Sequence, residues 1–323
     1  MNRPRVLVTR RWPASVESRL CELFETTLNI NDQPMTAESL RHAMRTYDAV
    51  CPSVCDRIDA DVLAVANGRC RIVANFGVGF NHIDIEAAKR LGVVVTNTPG
   101  VLTEATADLA MTLLLMSARR AGEGERLVRG GQWRGWAPTQ MMGSDVTGAT
   151  LGLIGFGRIG RAMARKAHLG FGMDVLYYKP ASLGQAEDDA PWLGRCDTIE
   201  ALLSRSDYVS LHCPGGVETR HLINAAALDW MKPTAHLINT ARGDVVDSRA
   251  LIDALRTKRI AGAGLDVYEG EPNIDPDLLA LDNVVLLPHL GSATLATRTA
   301  MGDKVVENLR AFFAGRDGLD RVA

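Results

Sequence analysis

Short apolar runs alternate with amphipathic segments along almost the whole chain. That rhythm predicts strands joined through helices, and hence the parallel sheets of an α/β protein. Up to residue 100, runs at 6–9, 49–51, 71–75 and 93–96 read as strands. Helical segments fall between them at 15–24, 37–44, 60–66 and 85–90. Together they describe one small doubly wound domain. Thr98-Pro99-Gly100 interrupts the pattern, and one long helical segment follows from Glu104 to about Val128. Leu109, Met111, Leu113, Leu114, Leu115 and Met116 make it apolar nearly all round, so it is expected to be buried. It either runs between domains or meets a second copy of the chain.

From residue 149 the alternation restarts. Strands are expected at 151–155, 174–178, 208–212, 236–240, 262–266 and 284–287, and helices at 159–169, 199–204, 225–231 and 249–256. The first of these strands enters Gly155-Phe156-Gly157-Arg158-Ile159-Gly160, and a helical segment leaves it. Strand, GxGxxG and helix in that order are what a dinucleotide site needs. Gly155 suits the tight turn, Gly157 lets the backbone approach a pyrophosphate, and Gly160 lets the helix pack close to the strand. The helix N-terminus would offer unpaired N–H groups and a positive dipole end to the phosphates. A last helix, at about 294–313, is expected to pack back on the first domain. The domains would then be 1–99 plus 294–323, and 100–293, each doubly wound around a parallel sheet, the second of them a Rossmann fold.

A length of 323 residues is enough for two such cores. Charged residues make up 23% with a formal net charge of −2, which points away from nucleic acid and membrane surfaces as partners. No apolar run could span a bilayer. Met1-Asn2-Arg3-Pro4-Arg5 leads straight into a strand too short for a signal peptide's apolar region, so a cytoplasmic protein is expected. The cysteines at 21, 51, 55, 70, 196 and 213 form no CxxC pair and no zinc pattern. They are expected to be reduced core thiols, with no metal site.

Three features at predicted strand ends carry chemistry. Asn239-Thr240-Ala241-Arg242-Gly243-Asp244 puts an arginine where ligands of open α/β sheets bind. Its fork suits a carboxylate or a polarised carbonyl oxygen. Gly264-Leu265-Asp266-Val267-Tyr268-Glu269-Gly270-Glu271-Pro272 supplies three acids, of which Asp266 and Glu271 read as inward and Glu269 as solvent-facing. Leu286-Leu287-Pro288-His289-Leu290-Gly291-Ser292-Ala293 ends a strand in a histidine, the one of seven with small residues behind it. Arginine, carboxylate and histidine, each ending a strand of one fold, form a constellation suited to acid–base catalysis.

With these pieces in order, the sequence resembles the D-isomer-specific 2-hydroxyacid dehydrogenases from end to end. Within them it is most similar to the glyoxylate/hydroxypyruvate reductases, through Asn75-Phe-Gly-Val-Gly-Phe-Asn-His-Ile-Asp84, Asn97-Thr-Pro-Gly-Val-Leu-Thr-Glu104 and Gly131-Gln-Trp-Arg-Gly-Trp136. The resemblance implies a flavodoxin-like substrate domain beside the dinucleotide domain. It implies Arg242, Glu271 and His289 as the catalytic set. His289 would protonate a ketone oxygen as hydride reaches the carbon from a nicotinamide. A neighbouring Glu271 would favour the charged imidazole. Arg242 would orient the carboxylate and carbonyl of the substrate. Backbone N–H groups at Val78 and Gly79 would hold the carboxylate, with Ser53 and Val54 near the substrate's far end. The dinucleotide would be met by Thr106, Gly155, Gly157, Arg158, Ile159, Gly160, Lys179, Pro180, Cys213, Pro214, Thr219, Thr240, Ala241, Asp266 and Gly291. Asp266 would accept from the nicotinamide amide; a turn acid is the alternative.

The second strand of the dinucleotide fold bears on cofactor choice. An acid there bonds the ribose 2′-OH of NAD. Here the strand reads Asp174-Val175-Leu176-Tyr177-Tyr178-Lys179-Pro180, with Lys179 in the acid's place. An ammonium attracts a 2′-phosphate, so NADPH is expected to be preferred, with NAD possible. The acids at 187–189 are not assigned to the ribose. Trp133 and Trp136 lie in a glycine-flanked loop; the resemblance implies that this loop closes an active site across a homodimer, and a hydrophobic plug at the domain junction is the alternative. The expected reaction is reduction of glyoxylate, hydroxypyruvate or another short 2-oxo acid to the D-2-hydroxy acid. Alternatives are a dehydrogenase for a longer 2-oxo acid and a dinucleotide-sensing, corepressor-like binding protein. A phosphoglycerate dehydrogenase is disfavoured because the chain leaves no room for an added regulatory domain. A formate dehydrogenase is disfavoured by Glu271, where such enzymes carry an amide.

Overall fold

The structure, a computed structural model, describes residues 3–65, 68–180, 190–316 and 320–323. The chain divides into two compact units, Met1–Leu102 with Ser292–Ala323, and Thr103–Gly291.

In the first unit the elements are β1 (Arg5–Val8), α1 (Ala14–Leu23), β2 (Glu25–Leu28), α2 (Ala37–Thr46), β3 (Ala49–Cys51), α3 (Ala60–Leu63), β4 (Ile72–Ala74), α4 (Ile85–Arg90) and β5 (Val94–Thr96). The five strands form one parallel sheet in the order β2-β1-β3-β4-β5. Val6, Val8, Val50, Ile72, Val73 and Val95 are fully buried, each contributing about 1.5–3 kcal/mol of apolar burial. Helix starts follow local chemistry. The side chains of Thr36, Asp59 and Asp84 accept from the N–H groups of Ser39, Val62 and Ala87. The end of the chain joins the sheet edge, where Arg321 bridges Thr96 and Val322 N–H donates to Val95 at 2.9 Å. β2 was not expected. It is an edge strand of sequence Glu-Thr-Thr-Leu whose residues alternate between exposed and half-buried, so it carries almost no apolar signal. Ala66, the last residue of the helix expected at 60–66, lies outside the described residues.

The second unit runs α5 (Thr103–Ala118), α6 (Ala121–Arg129), β6 (Thr150–Ile154), α7 (Arg158–Phe171), β7 (Asp174–Tyr178), β8 (Leu193–Arg195), α8 (Ile199–Leu203), β9 (Tyr208–Leu211), α9 (Ala225–Trp230), β10 (His236–Asn239), α10 (Ser248–Arg256), β11 (Gly262–Leu265), α11 (Pro276–Leu279) and β12 (Val284–Leu286). Back in the first unit, α12 (Leu295–Phe313) is capped by Thr294, whose hydroxyl accepts from Thr297 N–H. The second sheet is parallel, in the order β12-β11-β10-β9-β6-β7-β8. From β6 the chain builds outward through β7 and β8, then crosses to the other side for β9 to β12. The switch point of this doubly wound sheet therefore lies between β6 and β9.

The single helix expected from Glu104 to Val128 is two helices. α5 is buried along Ala107, Ala110, Met111, Leu113 and Leu114. It ends where Arg120 turns to φ +52° and Ser144 N–H donates to the Ala118 carbonyl. α6, rich in glycine and charge, has no fully buried residue, although Leu127 is half-buried. A seventh strand, β8, was also missed; it is short, with a glycine at its centre. The cysteines depart from expectation as well. Cys51, Cys70 and Cys196 are buried, but Cys21 and Cys55 are exposed; all six are free thiols. Among the described residues no helix is long and apolar enough to cross a membrane.

Candidate active site

β6 ends at Ile154, and the chain turns at Gly155 with φ +94°. A Cβ at Gly155 would stand 2.5 Å from Cys213 N, and one at Gly160 would stand 2.4 Å from the Gly155 carbonyl oxygen. Only glycine permits both approaches. Gly157 faces open space and begins α7 without a side-chain cap. Among the described residues no side chain accepts from the first-turn N–H groups of Arg158, Ile159 or Gly160. That turn holds Arg158 and Arg161 and no acid. Cations at a helix N-terminus oppose its dipole, and a bound anion reverses the balance. Tyr178 O accepts from Gly155 N–H at 3.0 Å, which fixes Lys179 next to the turn. The Thr240 hydroxyl oxygen is buried without a partner among the described residues. Bare helix donors, adjacent cations and an unpaired hydroxyl fit a dinucleotide's phosphates and polar groups. Pro180 ends this part of the described chain, and the acids at 187–189 lie outside it.

Several expected cofactor residues are engaged inside the protein. The Thr219 hydroxyl donates to the Pro214 carbonyl at 2.7 Å and closes that loop. The Thr106 hydroxyl donates to the Gly291 carbonyl at 3.1 Å. Ala241 N–H donates to Asn239 Oδ1 at 3.0 Å. Cys213 is half-buried, and burial pushes its thiol up to about 11. His212, just past β9, is a second strand-end histidine; burial pulls it down to about 4.

Asp266 is buried, with both carboxylate oxygens engaged. Oδ1 accepts from Leu290 N–H at 2.6 Å and Oδ2 from Gly291 N–H at 2.8 Å. Burial pushes its carboxyl up, against the pull of these N–H groups and of His289. In this structure it works as a bracket for the chain after His289.

The chemical groups collect where three neighbouring strands end. Asn239 pairs with Leu265 in register, and Leu265 with Leu286. β10, β11 and β12 therefore finish level, with Arg242, Glu271 and His289 on the loops that leave them. His289 sits at φ +55°, and its N–H donates to the Asp266 carbonyl at 2.9 Å. Its Nδ1 lies 2.8 Å from Glu271 Oε1. Burial pushes the Glu271 carboxyl up. The His289 hydrogen bond and charge, the Tyr268 N–H and the Arg242 charge outweigh that and hold it below its ordinary value. Glu271 is therefore the acceptor and Nδ1–H the donor, which leaves Nε2 facing outward. Burial pulls the Arg242 guanidinium below its ordinary value, opposed by Glu271 and Asp244. Its Nη1 donates to the Ala241 carbonyl at 2.6 Å.

Two features of this corner were missed in the sequence. A Cβ on Gly243 would fall 1.9 Å from the Tyr268 carbonyl carbon, so the arginine loop and the acid loop touch backbone to backbone. Tyr268 anchors the acid loop through its hydroxyl, which donates to Leu287 O at 2.8 Å. A glycine directly after Arg242 was the available signal. Glu269 does not face solvent freely: Oε1 meets Arg220 Nη2 and His221 Nε2, each at 3.0 Å.

The remaining candidates belong to the first unit. Ser53 donates through N–H and hydroxyl to Asp56 Oδ2, at 2.8 and 3.1 Å. Val54 is partly exposed, and its Cγ1 stands 3.6 Å from where a Cβ on Gly77 would be. Val78 and Gly79 lie half-buried in the loop after β4.

A nucleotide-type turn and an acid–base pair on one doubly wound sheet define an NAD(P)-dependent oxidoreductase, and comparison with known proteins agrees. Residues 111–291 match the model of the D-isomer specific 2-hydroxyacid dehydrogenase, NAD binding domain. The chain is 46% identical over 318 residues to the glyoxylate reductase of Thermococcus onnurineus, covering 97% of this chain and 94% of that protein. It is 48% identical over 317 residues to the glyoxylate reductase of Korarchaeum cryptofilum, covering 97% and 94%. Among solved structures, the NADPH-dependent glyoxylate/hydroxypyruvate reductase of Sinorhizobium meliloti, in complex with NADP and malonate, matches with a TM-score of 0.88. The identity is 37%, over 100% of this chain and 97% of that one. The chain belongs to the D-isomer-specific 2-hydroxyacid dehydrogenase family.

Proposed function

We propose that the protein reduces glyoxylate, hydroxypyruvate or a similarly short 2-oxo acid to the D-2-hydroxy acid. The observation that carries this reading is the 2.8 Å contact of His289 Nδ1 with Glu271, on level strand ends that also present Arg242. The names of the similar reductases from Thermococcus and Sinorhizobium support it. Nε2 of the imidazolium gives its proton to the ketone oxygen. Glu271 balances the imidazolium charge before the transfer and holds the neutral ring until solvent returns the proton. Arg242 orients the carboxylate and the polarised carbonyl oxygen. The N–H groups of Val78 and Gly79 receive the carboxylate, while Val54 bounds the substrate's far end and Ser53 supports that loop. When bound, the reduced nicotinamide supplies the hydride that reaches the carbonyl carbon.

Gly155, Gly157, Arg158, Ile159 and Gly160 would hold the pyrophosphate, and Thr240 Oγ1 a further polar group of the dinucleotide. Lys179 beside the turn favours NADPH over NADH. The division into a substrate-binding and a dinucleotide-binding domain is part of the same reading. So is a homodimer: Trp133 and Trp136 are 54% and 82% exposed in a loop after α6, a helix with no fully buried residue. Chiral analysis of the product tests the proposal. D-glycerate from hydroxypyruvate is expected; L-glycerate or a racemate contradicts it.

A further inference from the structure

The loop that follows β4 has its carbonyls pinned from behind by buried amides. Asn75 Nδ2 donates to Gly77 O at 3.1 Å and to Gly79 O at 3.0 Å. Asn97 Nδ2 donates to Val78 O at 2.8 Å. Thr98 N–H donates to Gly77 O as well, at 3.1 Å. His82 Nε2 lies 3.0 Å from Asn75 Oδ1, which makes that oxygen the acceptor and orients the amide. Behind Asn97, Asn308 Nδ2 donates to the Asn97 carbonyl at 3.2 Å, and Asn308 Oδ1 accepts from Asp320 N–H at 3.1 Å. All three asparagines are buried.

A peptide group carries its C=O and the next residue's N–H on opposite edges of one plane. Pinning Gly77 O therefore turns Val78 N–H the other way, and pinning Val78 O does the same for Gly79 N–H. Those two N–H groups donate to no acceptor among the described residues. We propose that Asn75 and Asn97 are positioning residues for the substrate carboxylate. Asn75 aims Val78 N–H, Asn97 aims Gly79 N–H, and Asn308 and His82 keep the two amides in place. The inference rests on the carboxylate role proposed above for Val78 and Gly79. Preorganised backbone donors serve an anion without the cost of ordering a flexible loop.

The test uses Asn97→Leu, nearly isosteric and without the donor. With reduced dinucleotide saturating, its Kd for oxalate and its KM for glyoxylate are expected to rise about tenfold, the weight of one charge-assisted hydrogen bond. The kcat should fall less than about threefold, and dinucleotide affinity should not change. Asn29→Leu is the matched control. It loses amide bonds of 2.7 Å to Thr9 O and Gln33 O elsewhere in the unit, and should lower the Tm without moving KM. Should Asn97→Leu fail to fold, Asn97→Ala is held to the same criteria. A destabilised variant with wild-type KM and oxalate Kd would overturn the proposal. Wild-type protein that binds oxalate but reduces no 2-oxo acid would sink the proposed reaction instead, and the oxalate shift alone would then decide this inference.

Discussion

Glu271 accepts a hydrogen bond from His289 Nδ1 at 2.8 Å, and that contact decides which ring nitrogen faces outward. The carboxyl is held below its ordinary value, so it stays an anion across the neutral range. Its own contribution to stability is present above the ordinary glutamate range and is lost as pH falls through the depressed value. Glu271→Gln preserves shape and removes the charge. We expect kcat/KM for glyoxylate to fall by about 10²-fold near neutral pH, with dinucleotide affinity little changed. Activity within about threefold of wild type would show that the pair is not part of the chemistry.

Gly243 and Tyr268 hold the arginine loop against the acid loop. In Gly243→Ala the new methyl has nowhere to go without moving the Tyr268 backbone. Overpacking of this kind costs about 1–3 kcal/mol. The Tm should fall and kcat/KM should fall further than the stability loss alone explains, because Arg242 and Glu271 shift together. Thermal melts beside kinetics well below the Tm check both.

In the proposed assignment Lys179 sets the cofactor choice. Lys179→Asp should lower kcat/KM for NADPH by at least about tenfold relative to NADH, through loss of attraction and added repulsion at the 2′-phosphate. An NADH preference already present in the wild type would contradict the assignment.

Trp136 separates two uses of its exposed loop. If the loop reaches a second copy of the chain, Trp136→Ala should change the ratio of kcat/KM for hydroxypyruvate and glyoxylate and weaken the dimer in sedimentation. A lower Tm with unchanged kinetics and unchanged mass would mark it as packing only.

Buried His236 and half-buried His212 set an acid limit on the fold. Burial pulls His212 and His236 from 6.5 to about 4. The folded state thus favours their neutral forms, while the unfolded chain takes up protons near 6.5. Their contribution is complete above that value and is lost as pH falls from about 6.5 toward 4. The Tm should drop through that window, and His236→Gln should drop less steeply. Parallel curves would count against the assignment.

Much of this was legible because apolar runs and glycine turns report backbone demands directly. The strands of the dinucleotide sheet stood out because, buried on both faces, they read as continuous apolar runs. β2 and β8 did not, since edge strands need no such run. The break between α5 and α6 was hidden by helix-forming residues on either side of Arg120, whose left-handed turn lies next to the Ala118 carbonyl that accepts from Ser144 N–H. Arg242, Glu271 and His289 were visible as chemical types at strand ends. The pairing of Glu269 with Arg220 and His221 was not, because it joins loops about fifty residues apart. The two-sided bracket of Asp266 was equally unreadable, since backbone N–H groups leave no trace in side-chain identity.

The most direct measurement follows loss of reduced nicotinamide absorbance with glyoxylate, hydroxypyruvate and pyruvate, using NADPH and then NADH, in wild-type protein and His289→Ala. The account predicts fast turnover of glyoxylate and hydroxypyruvate with NADPH, and a loss of about 10²-fold or more in the variant. Tight dinucleotide binding with no turnover of any of these acids would contradict it and favour a dinucleotide-sensing role.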